Sequence, residues 1–388
     1  MSPRGAALID GSHHLAPALN ETLSRIRQLA GDDESVMPGE EMTSARLAED
    51  LESLLKREPM IGALIPAAAD HRQLAHIAAT LPLSGRLGIK LALAARDRTE
   101  LYLHGLRVAC CCGALAQRLH LARHEVAEAV AAGLFHDLGL LYVDPALLEP
   151  GLRLDPRQRH YLDVHPLTGY LILESESAWH PVVSTAVMEH HERMDGSGYP
   201  RGLSGSRLGE LGQLLAVAEL TASLLAPGAP ALSWLRLGVV LRLNAEKLNR
   251  DFVHCMLTAI PPGEAPHAGA ADLGGAIENM VDMAIAFESW KAIRAALPAA
   301  ALTDFIGHRM DHLGRNLADA GIDLDFWQEI DADLEGDAIS LNEICVTARE
   351  GLRQLIDIAD ETRRRWTGHL PVVPLAAAWV EDIEGLSR

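Results

Sequence analysis

Aromatic residues make up only 4% of this 388-residue chain. Sheets draw on aromatic and β-branched side chains to pack a pleated surface, so their scarcity beside abundant Ala and Leu argues for helix. The expected fold class is all-α. Cysteine is scarce as well: of five residues, Cys110, Cys111 and Cys112 are consecutive, and Cys255 and Cys345 lie far away. No pair has zinc-ribbon spacing, and consecutive helical residues point in different directions, so the three read as small core residues. Basic residues are outnumbered, 34 Lys and Arg against 53 Asp and Glu, for a formal net charge of −19. Such a surface repels nucleic acid polymers and anionic membranes. It also repels a phosphate-bearing substrate unless bound cations reverse the field locally. Long apolar runs are missing too: no stretch is long enough to span a bilayer and no secretory signal opens the chain. The expectation is a cytoplasmic protein with no membrane association.

What is present is enough apolar residue for real cores, 48%, in a length that allows two or three domains. Residues 1–86 read as a helical N-terminal region, sensory or partner-binding. Within it Leu19 to Leu29 can make a short helix before the acidic Asp32-Asp33-Glu34. Glu40 to Leu55 reads as an amphipathic helix, with Met42, Leu47, Leu51 and Leu54 apolar at helical intervals. Residues 87–262 are helical throughout and form the central domain, with Trp234 to Ile260 completing it. Asp144-Pro145 and Asp155-Pro156 each pair an N-cap with proline at the first helical position. Pro261 to Gly269 reads as a linker. Residues 263–388 read as a helical bundle for oligomerisation or regulation. There Leu273, Ile277, Met280, Ala284 and Phe287 share a face, and Ser340 to Glu343 has the form of a capping box. Ile344, Ala348, Leu352 and Leu355 make the next stripe, and Arg363-Arg364-Arg365 suits a helix C-terminus.

The chemistry gathers between Met188 and Pro200. Two adjacent histidines, His190 and His191, sit between Glu189 and Glu192 and run into a Gly/Pro turn. Imidazole is a neutral nitrogen ligand for transition metals. Adjacent helical residues point about 100° apart, so His190 and His191 cannot both aim at one point from a straight helix. Either they serve two neighbouring metals, or one binds metal while the other binds substrate. Upstream, Glu100 and His104 share a helix face. Phe135-His136-Asp137-Leu138-Gly139 gives a nitrogen ligand beside a carboxylate able to bridge two cations. His165-Pro166-Leu167-Thr168-Gly169 puts a histidine at a helix start and a glycine where a neighbouring helix can come close. Downstream, Leu214 to Leu225 reads as a helix with Glu219 in its middle.

His190-His191-Glu192, Asp195-Gly196 and Gly198-Tyr199-Pro200 resemble, at every fixed position, the HHExxDGxGYP signature of HD-GYP cyclic di-GMP phosphodiesterases. His104 to Val108 resembles the family's HxxRV helix, His136-Asp137 its HD motif, and His165 to Gly169 its HPxxG. The resemblance covers residues 87–262. It implies an HD-type helical domain binding two or three divalent metals, iron or manganese. Their ligands would be Glu100, His104, His136, Asp137, His165, His190, His191 and Glu219, with His136 and Asp137 as the catalytic pair. It further implies that a metal-activated water attacks phosphorus and cyclic di-GMP is hydrolysed to pGpG or GMP. Asp195, Gly196, Gly198, Tyr199 and Pro200 would shape the nucleotide pocket or meet a partner. The chain departs from the pattern at Leu140, where the family has a phosphate-contacting lysine. It departs again at Glu219 and Ala222, where the family has two aspartates, and at Ala226 to Pro230, which replaces a basic segment. The rival expectation is a weak or inactive signalling module that binds a nucleotide or partner protein, as a homo-oligomer or with a signalling partner.

Overall fold

The computed structural model describes residues 41–386, apart from 84, 150, 151, 153, 177, 228–232, 262–271, 323, 325–337 and 367. The Leu19–Leu29 helix, the acidic run after it and most of the expected linker lie outside the described residues. All regular elements among the described residues are helical. The chain divides into two compact units: residues up to 229 with 245–262, and residues 230–244 with 263–388.

In the first unit α1 (Ser44–Arg57) is capped by Thr43, whose side chain accepts the Arg46 N–H, and it buries Leu47, Leu51 and Leu54. The helix starts later than the apolar spacing predicts. Met42 is buried but lies outside the helix, its N–H donating to the Gly88 carbonyl at 2.9 Å. There follow α2 (Pro59–Ala63), α3 (Ala68–Thr80), α4 (Gly85–Asp97), α5 (Thr99–Arg118), α6 (Arg123–Phe135), α7 (Pro156–Asp163), α8 (His165–Glu174), α9 (Pro181–Glu189) and α10 (Glu210–Leu224). The Asp155 side chain accepts from Arg157 and Gln158 N–H with Pro156 at the first helical position, as the sequence predicts. α11 (Ser233–Leu243) belongs to the second unit and α12 (Arg250–Leu257) returns to the first.

α5 is the hub of the first unit. It is buried without a break from Gly105 to Ala116, including all three consecutive cysteines. A helix apolar on every side must be covered on every side, and α1, α2, α3, α4, α6, α10 and α12 all pack on it. The expected boundary at residue 86 therefore does not separate two bodies. Tyr102 donates to Asp50 at 2.8 Å, and Arg107 Nε to both Glu58 oxygens at 3.1 and 2.9 Å.

In the second unit α13 (Leu273–Ala296), α14 (Ala301–Asp319), α15 (Ala338–Arg365) and α16 (Pro374–Gly385) share a core of Met280, Met283, Trp290, Ile306, Met310, Leu313, Ala348, Leu355 and Trp379. α15 packs against α11, α13, α14 and α16. Two sequence expectations change here. α11 leaves the central domain, because Asn244 at its end donates to the buried Glu350 carboxylate at 2.8 Å. Ser340 to Glu343 lies inside α15, which already starts at Ala338, so it is not a helix-opening box. No single helix among the described residues is long and apolar enough to cross a membrane.

Candidate metal centre

Three helix ends and two helix faces converge on one carboxylate. His136 is the C-cap of α6 and Asp137 follows it, opening the short 3-10 turn Leu138–Tyr142. His165 is the first residue of α8, packed against the end of α7, and His190 is the C-cap of α9. His104 comes from α5 and Glu219 from the middle of α10.

The last four carbonyls of a helix have no intrahelical partner, and three histidines use them. His136 Nδ1 donates to Gly133 O at 2.8 Å, His165 Nδ1 to Leu162 O at 2.6 Å and His190 Nδ1 to Val187 O at 2.6 Å. A carbonyl only accepts, so each Nδ1 carries the proton, and a neutral ring turns its Nε2 lone pair to a metal. Those Nε2 atoms surround Asp137. Its Oδ1 lies 3.2 Å from His165 Nε2 and 3.6 Å from His190 Nε2. Its Oδ2 lies 3.3 Å from His136 Nε2 and 4.0 Å from His104 Nε2.

Two groups of possible ligand atoms result, each within 4.8 Å: His104, His136 and Asp137, and Asp137 with His165, His190 and His191. Asp137 is common to both. The expectation that His190 and His191 point apart does not hold, because α9 stops at Glu189 and the chain turns there. Their rings come within 4.1 Å, centroid to centroid, and both enter the second group. Glu219 Oε1 stands 3.8 Å from His191 Nδ1. Glu100 is not brought in: its side chain is 85% exposed and reaches toward Arg107 Nη1 at 3.8 Å.

Close approach explains two glycines. A Cβ at Gly139 would collide with the His165 carbonyl, so α8 can begin where it does only against a bare Cα. At Gly169 it would meet Val187 Cγ1 at 2.8 Å and His136 O at 3.5 Å, which bears out the expected helix contact there.

The donor set fits divalent transition metals. Glu219 Oε2 is buried with no hydrogen-bond partner, and the buried His136 Nε2 has only the Asp137 carboxylate beside it, at 3.3 Å. Leaving such atoms unpaired in a protein interior is costly, and a cation between imidazoles and carboxylates removes the cost. In the metal-free site, burial pushes His104 down to about 4 and His190 to about 3, and drives His191 well below its ordinary value. Burial also opposes charge on His136, but the adjacent Asp137 carboxylate outweighs it and lifts His136 to about 9. Burial likewise disfavours the Asp137 anion, yet His136 and the hydrogen bonds from His165 and His190 hold it well below the carboxylate range. Burial pushes Glu219 up.

A family model describing the HD domain matches residues 66–231. Over 120 residues the chain is 37% identical to a cyclic di-GMP phosphodiesterase of Pseudomonas aeruginosa, covering 31% of this chain and 29% of that one. It is 36% identical over 115 residues to the cyclic di-GMP phosphodiesterase response regulator RpfG of Xanthomonas campestris, covering 29% and 30%. With a cyclic di-GMP phosphodiesterase of Thermotoga maritima it shares 34% over 124 residues, covering 31% and 33%. Residues 66–231 are thus similar to an HD domain. The match spans about a third of the length of these relatives.

Glu192 of the signature and Glu189 just before it hold the loop, a role sequence reasoning did not assign. Glu192 Oε1 accepts the Arg201 N–H at 2.7 Å and Oε2 the Leu203 N–H at 2.9 Å. The buried Glu189 pairs with the Arg201 guanidinium and accepts the Gly209 N–H at 2.8 Å. Of the expected nucleotide-pocket residues, Gly198 and Tyr199 lie against His191. Asp195 accepts the Ser197 N–H at 2.9 Å, Gly196 takes φ +77°, and a Cβ at Gly198 would strike the His191 carbonyl. Tyr199 stacks on the His191 ring at 4.6 Å, and the loop closes at Pro200. Nothing in the spacing announces the histidine-to-carbonyl locks; only the helix ends do.

Proposed function

We propose that this chain is a metal-dependent phosphodiesterase that hydrolyses the bacterial second messenger cyclic di-GMP to pGpG or GMP, and so works in the cytoplasm. The observation that carries the reading is Asp137, one carboxylate shared by two histidine groups. Iron or manganese would be held by His104, His136 and Asp137 on one side and by Asp137, His165, His190 and His191 on the other. When bound, such ions supply an activated water and stabilise charge on the phosphate. The chain's own part is positioning. The Nδ1–carbonyl bonds fix three rings and their tautomers. Asp137 stays ionised between them. Glu219 is proposed to close the second group in place of an aspartate. Asp195 to Pro200, with Gly198 and Tyr199 against His191, would form the wall that meets the nucleotide. The second unit would serve association with a second copy or a signalling protein.

A non-catalytic module that keeps the metals and binds a nucleotide or partner is the second reading. It is favoured by Leu140 and by Ala222, which is fully buried where the family has an aspartate. Turnover of cyclic di-GMP by protein loaded anaerobically with iron or manganese separates the two. Linear product from metal-loaded but not metal-free protein is expected. A full metal load without product overturns the enzymatic reading.

A further inference from the structure

A phosphodiester approaching this site meets a chain of net charge −19, a leucine at position 140 and no basic residue between Ala226 and Pro230. Besides metals, a cation within the signature itself can answer for the anion. Two arginines lie there or just after it. Arg201 is committed to the buried Glu189. Arg193, between Glu192 and Met194, is different.

Arg193 Nη1 donates to the His190 carbonyl at 2.9 Å and to the Glu192 carbonyl at 2.9 Å. Those bonds use one nitrogen of a guanidinium that has five N–H donors in a rigid plane. No carboxylate within ion-pair distance neutralises this guanidinium among the described residues, and its side chain is half-buried. It is therefore a positive charge pinned by the backbone carbonyls of His190 and Glu192, with no hydrogen bond from Nε or Nη2 among the described residues. A planar fork fixed at one corner is the form in which arginine binds phosphate oxygens with directed, charge-assisted bonds.

We propose that Arg193 is the phosphate-binding cation of this site, anchored through Nη1 to the His190–Glu192 turn and offering Nε and Nη2 to a non-bridging oxygen of the substrate. The proposal rests on the site being one that takes a phosphodiester, and it is independent of which cyclic dinucleotide is cleaved. The same two carbonyl bonds would also let Arg193 act only as a brace for the turn, and the two roles part in experiment.

The test uses the full chain loaded with manganese and inorganic phosphate as the probe. Binding is read from paramagnetic relaxation of the phosphorus signal, with metal content measured on the same samples. Arg193→Met is expected to keep the wild-type metal load and weaken phosphate by about ten- to a hundredfold, the range of one or two charge-assisted hydrogen bonds. Arg193→Lys is expected to recover part of the loss, since it restores charge without the fork. Unchanged phosphate affinity in Arg193→Met overturns the proposal. So does a metal load that falls in step with phosphate binding, which marks a brace. Loss of phosphate binding in Arg193→Met, with no cyclic di-GMP turnover by wild type, supports Arg193 and overturns only the substrate.

Discussion

Asp137 turns Oδ1 to His165, 3.2 Å from its Nε2, and keeps Oδ2 for the other histidine group. A shared ligand and an unshared one must behave differently when removed. Asp137→Ala is expected to lose both ions of a metal pair, and His104→Ala, a member of one group only, to lose about one per chain. Metal analysis of the purified variants decides; equal losses would dissolve the two-group arrangement.

Glu219 has one oxygen 3.8 Å from His191 and the other buried without a hydrogen-bond partner. Glu219→Gln keeps the shape and removes the charge. It should weaken metal retention by about tenfold, the lower end of what supporting groups at metal sites contribute. Glu219→Asp should retain the metal better than Glu219→Gln. Chelator competition measures both, and indistinguishable curves for wild type and Glu219→Gln would remove Glu219 from the site.

Gly139→Ala tests the close approach beneath His165. Its methyl group meets backbone rather than a movable side chain, so α8 must shift. Overpacking of this kind costs about 1–3 kcal/mol, and the shift also displaces a metal-site histidine. Lower thermal stability together with reduced metal content is expected; normal values for both would show that α8 yields freely.

Glu350, in the second unit, gives a pH signature of its own. Burial favours its neutral form, but Arg353, Asn244 and Gln354 outweigh burial and hold it below the usual glutamate value. A carboxylate depressed in the folded state stabilises fully above its unfolded pKa of about 4.3. That stability is lost as pH falls through the lower folded value. Glu350→Gln should cost about 1–3 kcal/mol near neutrality and flatten the acid side of the profile. Thermal unfolding of the full chain between pH 3 and 7 follows it, and parallel profiles for the two proteins would argue against it.

The sequence by itself determined the helical class, the order of the metal-type residues and the family resemblance, because eight fixed types in an eleven-residue string leave little freedom. It also marked local devices such as the Asp155-Pro156 start, whose physics is contained in adjacent residues. What it could not determine depends on where helices end and what lies beside them. The His190-His191 pair meets in one group only because α9 stops at Glu189. Glu100 is spaced correctly from His104 yet points to solvent and Arg107. Sequence neighbours place α11 with the central domain, but its polar end is matched by Glu350, over a hundred residues later. Spacing along a helix fixes which residues share a face. Only packing decides which face is covered, and by what, because that contact is made between residues distant in the chain.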